Sequence, residues 1–237
     1  MADSTKISVV IPAYNAMDTI AETLDSLLSQ TRAADEIIVV DDGSTDATSE
    51  IVTNHPVGAK LVKQRNSGAA AAFNNGISGT NGDFVALLDA DDIWVPEKLQ
   101  IQEAALKVHG TDAIIMGHVE AFECPSQSPE LFARLAYVKG KAPGYLAGTA
   151  LVQRNLIASQ DKCFDTSLRT GYFIEWYRRR RSEGVETVML DDLVLRRRIR
   201  ANTLSRRQQN TNEGLNRDFL EIARRAILEK KQQNKTG

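Results

Sequence analysis

Asp89-Ala90-Asp91 sets two carboxylates around one small residue, directly after the apolar run Phe84–Leu88. Carboxylate oxygens in that pattern suit a hard divalent cation, Mg²⁺ or Mn²⁺, which takes its other ligands from water and phosphate oxygens. The same residue types also suit a turn that caps a following helix, with Asp92 as the capping member. A second acidic pair, Asp41-Asp42, follows the apolar run Ile37–Val40. A carboxylate there can accept a hydrogen bond from the edge of a nucleobase, and Tyr14 offers an aromatic face for stacking. An Asx turn before a helix, with Ser44, Thr45 or Asp46 as its cap, uses the same residues differently, and adjacent residues can divide the two roles. Ser67-Gly68-Ala69-Ala70 is a weak glycine loop or simply a helix start. Neither G-x-G-x-x-G nor G-x-x-x-x-G-K-[ST] occurs. Phosphates would therefore be held through a metal and not by a glycine-rich cradle.

The elements that must position these residues are legible in the first half. Apolar β-rich runs occur at Ile7–Ile11, Ile37–Val40, Leu61–Val62, Phe84–Leu88 and Ala113–Met116. Between them lie stretches with helical spacing. Ile20, Leu24, Leu27 and Leu28 share one face, as do Ile101, Ala104, Ala105 and Val108, and Pro96 sits where the latter helix can begin. Strands alternating with helices predict a mainly parallel sheet covered on both faces, with strands apolar throughout. Ligands of such sheets bind beyond the carboxyl ends of the strands. Pro12-Ala13-Tyr14, Asp41-Asp42, Asn66-Ser67-Gly68 and Asp89-Ala90-Asp91 all fall there. Residues 118–145 read as a loop-rich connection with short elements, Ile174–Ser182 and Glu213–Lys231 as helices, and residues 232–237 as a frayed tail.

Read together, these segments resemble glycosyltransferase family 2, the inverting enzymes of GT-A fold. The matching text is Ile7-Ser-Val-Val-Ile-Pro-Ala-Tyr-Asn-Ala16, Ile38-Val-Val-Asp-Asp-Gly-Ser-Thr-Asp46, Asn66-Ser-Gly68 and Leu87-Leu-Asp-Ala-Asp-Asp-Ile-Trp-Val-Pro96. A weaker match continues in Phe164-Asp165-Thr-Ser-Leu168 and Leu204-Ser-Arg-Arg207. The resemblance implies an α/β fold: a GT-A-like, Rossmann-type, mainly parallel sheet flanked by helices, with a C-terminal acceptor region. Residues 1–117 would form the nucleotide-sugar half, 118–211 the acceptor side of the same domain, and 212–237 an amphipathic helix and tail. It implies a nucleotide-diphosphate sugar donor, most often a UDP-sugar, and metal-assisted transfer to an unidentified acceptor. It assigns Pro12, Ala13, Tyr14, Asp42, Asn66, Gly68 and Asp89 to the nucleotide, and Asp89 and Asp91 to Mg²⁺ or Mn²⁺.

Three positions depart from the family. Its Gly-Glu-Asp segment, which supplies the general base, is Gly171-Tyr172-Phe173 here. The nearest carboxylate is Glu175, which we expect to take the acceptor proton, with Asp191 and Asp192 as second choices. Against this, Arg178 and Arg179 stand at i+3 and i+4 and can pair with it on the helix. A histidine that many members carry near the metal is replaced within Arg198-Ile199-Arg200. Arg200 can meet a diphosphate as a fixed cation but cannot ligate a metal. Phe73 stands where the family often has an arginine. A non-catalytic or partner-dependent nucleotide-sugar binder is the competing expectation.

Charge divides the 237 residues unevenly. Residues 1–150 hold 10 Lys+Arg against 20 Asp+Glu, and residues 151–237 hold 19 against 11, giving −10 and +8 for the net −2. The Arg178–Arg181 run would spread around a helix, as on a solvated or headgroup-facing surface. Arg196–Arg198 lies in a strand-like stretch that can frame the acceptor side. Nucleic acid fits poorly, since no recognition helix or aromatic platform accompanies the charges. Trp176 is expected in the interior. Two cysteines and three histidines make no zinc spacing, and no apolar run reaches about 18 residues. The expected location is cytoplasmic, with a peripheral contact at the inner face of a membrane as the minority reading.

Overall fold

A computed structural model describes residues 5–124, 139–159, 163–200, 218 and 220–226. Among the described residues, nine strands form one sheet: β1 (Ile7–Ala13), β2 (Glu36–Asp41), β3 (Lys60–Lys63), β4 (Phe84–Leu87), β5 (Ile93–Trp94), β6 (Ile114–Glu123), β7 (Lys141–Pro143), β8 (Leu151–Gln153) and β9 (Thr187–Ile199). Their order is β3-β2-β1-β4-β8-β6-β9-β5, with β7 beside β6. β1 to β4 pair in parallel, and β6 pairs in parallel with β9, while β5, β7 and β8 run antiparallel. Among the described residues, the α-helices that pack on the sheet are α1 (Ile20–Leu28), α2 (Thr48–Asn54), α3 (Ala69–Ser78), α4 (Lys98–His109) and α5 (Tyr172–Ser182), with a further helical stretch at 218 and 220–226.

Alternation along β1 explains why its run is apolar throughout. Val9 and Ile11 join one core with Ile20, Leu24 and Leu99 of α1 and α4, whereas Val10 joins the other with Phe73, Ile77 and Trp176 of α3 and α5. Both sides of each central strand are thus covered, as parallel sheets require. Gly76 lets α3 lie close on the sheet: a Cβ there would meet Val10 Cγ1 at 2.4 Å and Val40 Cγ2 at 3.0 Å. Trp176 is fully buried, as expected.

Several expectations change. β6 continues through Glu123, so a boundary at residue 117 falls inside a strand shared by both halves. The loop-rich expectation for 118–145 therefore holds β7 and half of β6, and residues 125–138 lie outside the described residues. The Arg178–Arg181 run is not uniformly solvated, because Arg180 is buried and paired with Glu183 at 2.7 Å. Of the helix expected at Glu213–Lys231, residues 218 and 220–226 are described and are helical; the 232–237 tail and Leu204–Arg207 lie outside the described residues. No helix among the described residues is long and apolar enough to cross a membrane.

Candidate active site at the carboxyl edge of the sheet

Parallel register brings the strand tips together. Ala13 pairs with Asp41, and Val10 with Leu87, so Pro12-Ala13-Tyr14, Asp42 and Asp89 emerge from neighbouring strands on one edge. The connecting loops are then tied to one another. Asn15, at φ 47°, takes the left-handed conformation that Asn tolerates better than most residues. Its N–H donates to Ser44 Oγ at 2.9 Å, and its Oδ1 accepts the Thr45 N–H at 2.8 Å. Tyr14, beside it, is 49% exposed and presents its ring at the rim.

The two members of Asp41-Asp42 divide their work. Asp41 closes an Asx turn, accepting the Ser44 N–H at 2.8 Å and the Ser49 hydroxyl. Burial opposes its charge, but these donors prevail and hold it below the usual carboxylate range. Asp42 is buried and turns towards the loop that enters α3. It accepts the Ser67 and Gly68 N–H groups and the Gln64 amide, each at 2.8 Å. A carboxylate offers about four acceptor positions, and these three donors fill three of them. Asn66 and Gly68 are consequently set by Asp42, and Gly68 meets the backbone demand of that loop with φ 91°.

The acidic turn after β4 is fixed from two sides. From α1, the Thr19 hydroxyl donates to the Ala90 carbonyl at 2.9 Å and the Thr23 hydroxyl to the Asp92 carbonyl at 3.0 Å. From β9, the Arg198 N–H donates to Asp92 Oδ1 at 2.9 Å and its Nε to the Asp91 carbonyl at 2.8 Å. The Arg198 guanidinium also pairs with Glu22. Arg200 Nη2 lies 2.8 Å from Asp91 Oδ2. Register explains the meeting: β5 follows the turn directly and pairs antiparallel with β9, Ile93 against Arg196. Of the Arg196–Arg198 run, Arg198 thus lies against the acidic turn, while Arg196 and Arg197 are exposed.

Electrostatics mark the turn as anion-rich. Burial and the neighbouring Asp91 charge raise Asp89 to about 6, although the Arg197 charge pulls it down. Burial, with Asp91 and Asp89, pushes buried Asp92 well above the usual range. Tyr172, at the start of α5, faces the same charges; burial first, then Asp89 and Asp91, raise its hydroxyl. A divalent cation fits this donor set as one that supplies two hard oxygens and leaves the other positions to water and phosphate. Among the described residues no cluster of three or more His, Cys, Asp or Glu forms a complete protein cage.

Glu175 is buried within α5, with Arg178 Nη2 3.7 Å and Arg179 Nε 3.3 Å from its Oε1. The pairing along the helix is therefore present. Asp191 and Asp192 are exposed on β9, next to the irregularity where β6 and β9 shift register. The contribution of Tyr172 and the wrapping by Arg198 escaped the sequence reading. They depend on contacts about 80 to 110 residues apart, and only the position of the arginines after an apolar strand hints at them. The open cavity lined by His109, Asp112, Glu183 and Glu186 lies at the opposite, amino end of β6 and β9.

This sheet, with its acidic turn at the carboxyl edge, is the GT-A fold. The chain superimposes on TarS of S. aureus in complex with UDP, with a TM-score of 0.65 and 23% identity over 83% of this chain and 61% of that one. It likewise matches the mannosyltransferase PcManGT of Pyrobaculum calidifontis in complex with GDP-Man and Mn²⁺, with a TM-score of 0.66 and 22% identity over 94% and 65% of the two chains. The chain belongs to glycosyl transferase family 2, whose model matches residues 8–161. An uncharacterised glycosyltransferase of Nostoc sp. is 36% identical over 144 residues, which are 56% of this chain and 45% of that protein. The chain spans less than half the length of the curated relatives it matches.

Proposed function

We propose that the protein transfers a sugar from a nucleotide-diphosphate donor, a UDP-sugar by preference, to an acceptor nucleophile by one inverting displacement. The observation that carries this reading is the juxtaposition of Tyr14, Asp42 and Asp89-Ala90-Asp91 at the carboxyl edge of a parallel sheet. Family membership and the nucleotide complexes of the two structural neighbours support it. Tyr14 stacks the base, and Asp42 holds the Asn66–Gly68 loop against it. Asp89 and Asp91 hold Mg²⁺ or Mn²⁺, which when bound neutralises the departing diphosphate. Asp92 and Arg198 keep the acidic turn in place. Glu175 takes the acceptor proton, from the helix whose first turn places Tyr172 over that turn.

A second reading, a binder that does not turn its ligand over, draws on one observation: Glu175 is engaged by two guanidiniums. A thermal-shift series of nucleotides and nucleotide sugars with and without Mn²⁺ tests the donor site, because a ligand of the folded state raises Tm. UDP and UDP-sugars should stabilise the chain only with the cation; indifference to every nucleotide sinks the reading. Slow metal-dependent hydrolysis of the donor separates the enzyme from the binder.

A further inference from the structure

We propose that Arg200 is the resident counter-ion of Asp91, displaced when a divalent cation binds and then passed to the donor's diphosphate. This rests on the reading of Asp89 and Asp91 as metal carboxylates. Arg198 and Arg200 approach the same turn but do different things. Arg198 is buried, and its bonds go to the Asp91 carbonyl, Asp92 and Glu22, so it fixes the turn without occupying the Asp91 carboxylate. Arg200 takes that carboxylate itself, at 2.8 Å, and both side chains of the pair are about a quarter exposed, at 26% and 25%. The contact is therefore within reach of a solvated ion. A guanidinium and a divalent cation on one carboxylate repel each other, and closeness in a partly desolvated site sharpens the repulsion. A guanidinium also matches phosphate oxygens in a bidentate fork. The arrangement is thus an exchange: the cation takes Asp91, and Arg200 turns to the diphosphate that arrives with it. A fixed positive charge then stands at the diphosphate.

The test titrates the full chain with Mn²⁺ alone, free ion being read by electron paramagnetic resonance. Arg200→Ala should bind Mn²⁺ about three- to tenfold more tightly than the parent. Arg197→Ala removes the same charge from the cluster, but Arg197 acts on Asp89 through its field and is exposed. It should change affinity less than about twofold. At saturating Mn²⁺, Arg200→Ala should bind UDP about tenfold more weakly and uridine unchanged. Arg200→Gln repeats both measurements if the alanine variant melts early. Unchanged or weaker Mn²⁺ binding in both Arg200 variants, an equal gain in Arg197→Ala, or undiminished UDP affinity overturns the exchange. Asp91→Ala separates the two levels. If it abolishes Mn²⁺ binding while Arg200 is without effect, only the exchange fails. If it binds Mn²⁺ as the parent does, or no form binds it, the metal reading fails too and takes the exchange with it.

Discussion

At the scale of single residues, the acidic turn gathers carboxylates whose charge is costly to bury. Asp89 has its carboxyl raised to about 6 by burial and by Asp91. A carboxyl raised above its unfolded value of 3.8 stabilises the folded chain when protonated, and that contribution is lost as pH rises from about 4 through 6. At neutral pH the ionised group is a strain on the free protein. Asp89→Asn should then raise Tm at pH 7, by about 1–2 kcal/mol of stability, while abolishing Mn²⁺-dependent UDP binding. A variant that melts earlier and still binds shows that the carboxylate is a structural turn and no ligand. The same titration predicts that cation binding by the parent weakens as pH falls below about 6, since the metal needs the deprotonated carboxylate. For Glu175→Gln, a base role predicts a fall in kcat of at least about 100-fold with donor KM held. Unchanged turnover leaves Glu175 as the ion-pair partner of Arg178 and Arg179.

Elements were read most easily where both ends of a contact are local. The apolar runs at β1 to β4 emerge as strands close to the expected bounds, and Ile20, Leu24 and Leu27 of α1 are buried, though Leu28 is exposed. The face expected for α4 is corrected: Leu99, Gln102, Ala105 and Leu106 turn to the core, while Ala104 and Val108 are exposed, because the sheet and not the 3.6 period alone decides which side is covered. β9 was harder: it runs for 13 residues, is exposed at Asp191, Asp192, Arg196 and Arg197, and owes its existence to pairing with β6. Only its Leu195–Ile199 end reads as strand-like in the sequence. Lys98, in the first turn of α4, is fully buried, its Nζ 2.5 Å from Gln102 Oε1 and 4.0 Å from the Trp94 ring centre. Burial without a carboxylate pushes its amine well below 10.5. Between the depressed folded value and 10.5 the unfolded chain binds more protons, so this residue's effect on stability improves as pH rises through that window. Lys98→Met fills a similar volume and removes the cost, against about 1 kcal/mol for the donor that Gln102 loses. The variant should melt higher than the parent at pH 7, with an advantage that narrows towards pH 10.5. A constant difference across that range would mean that the amine keeps its proton in the fold.

Over the whole molecule, the opposed charges of the two halves are used as a clasp. The acidic first half meets the basic second half at Arg198–Glu22 and Arg200–Asp91, so the net −10 and +8 are partly spent across the candidate site. The imbalance in the sequence suggests that the basic half partly pairs with the acidic one, but not which residues meet, because each pair joins residues more than 100 positions apart. The chain's last described helical residues make a second clasp. Asp218 Oδ2 accepts the Arg169 and Thr170 N–H groups at 3.1 and 2.9 Å, Arg225 reaches Asp165 at 2.5 Å, and Ile222 is buried. These contacts seize residues 165–170, the segment that delivers Gly171 and α5 to the acidic turn. Buried polar groups that lose an acceptor remain costly, at about 1–3 kcal/mol. Asp218→Ala should therefore lower Tm by several degrees, a shift of about 2–4 °C per kcal/mol for a chain of this size. Its location matters more than its size: amide hydrogen exchange should quicken at Arg169, Thr170 and the first turn of α5, while β1, β2 and β4 keep their protection. If exchange rises evenly through the sheet, or not at all at Arg169 and Thr170, the C-terminal helix is a passive cover and does not hold α5 in place.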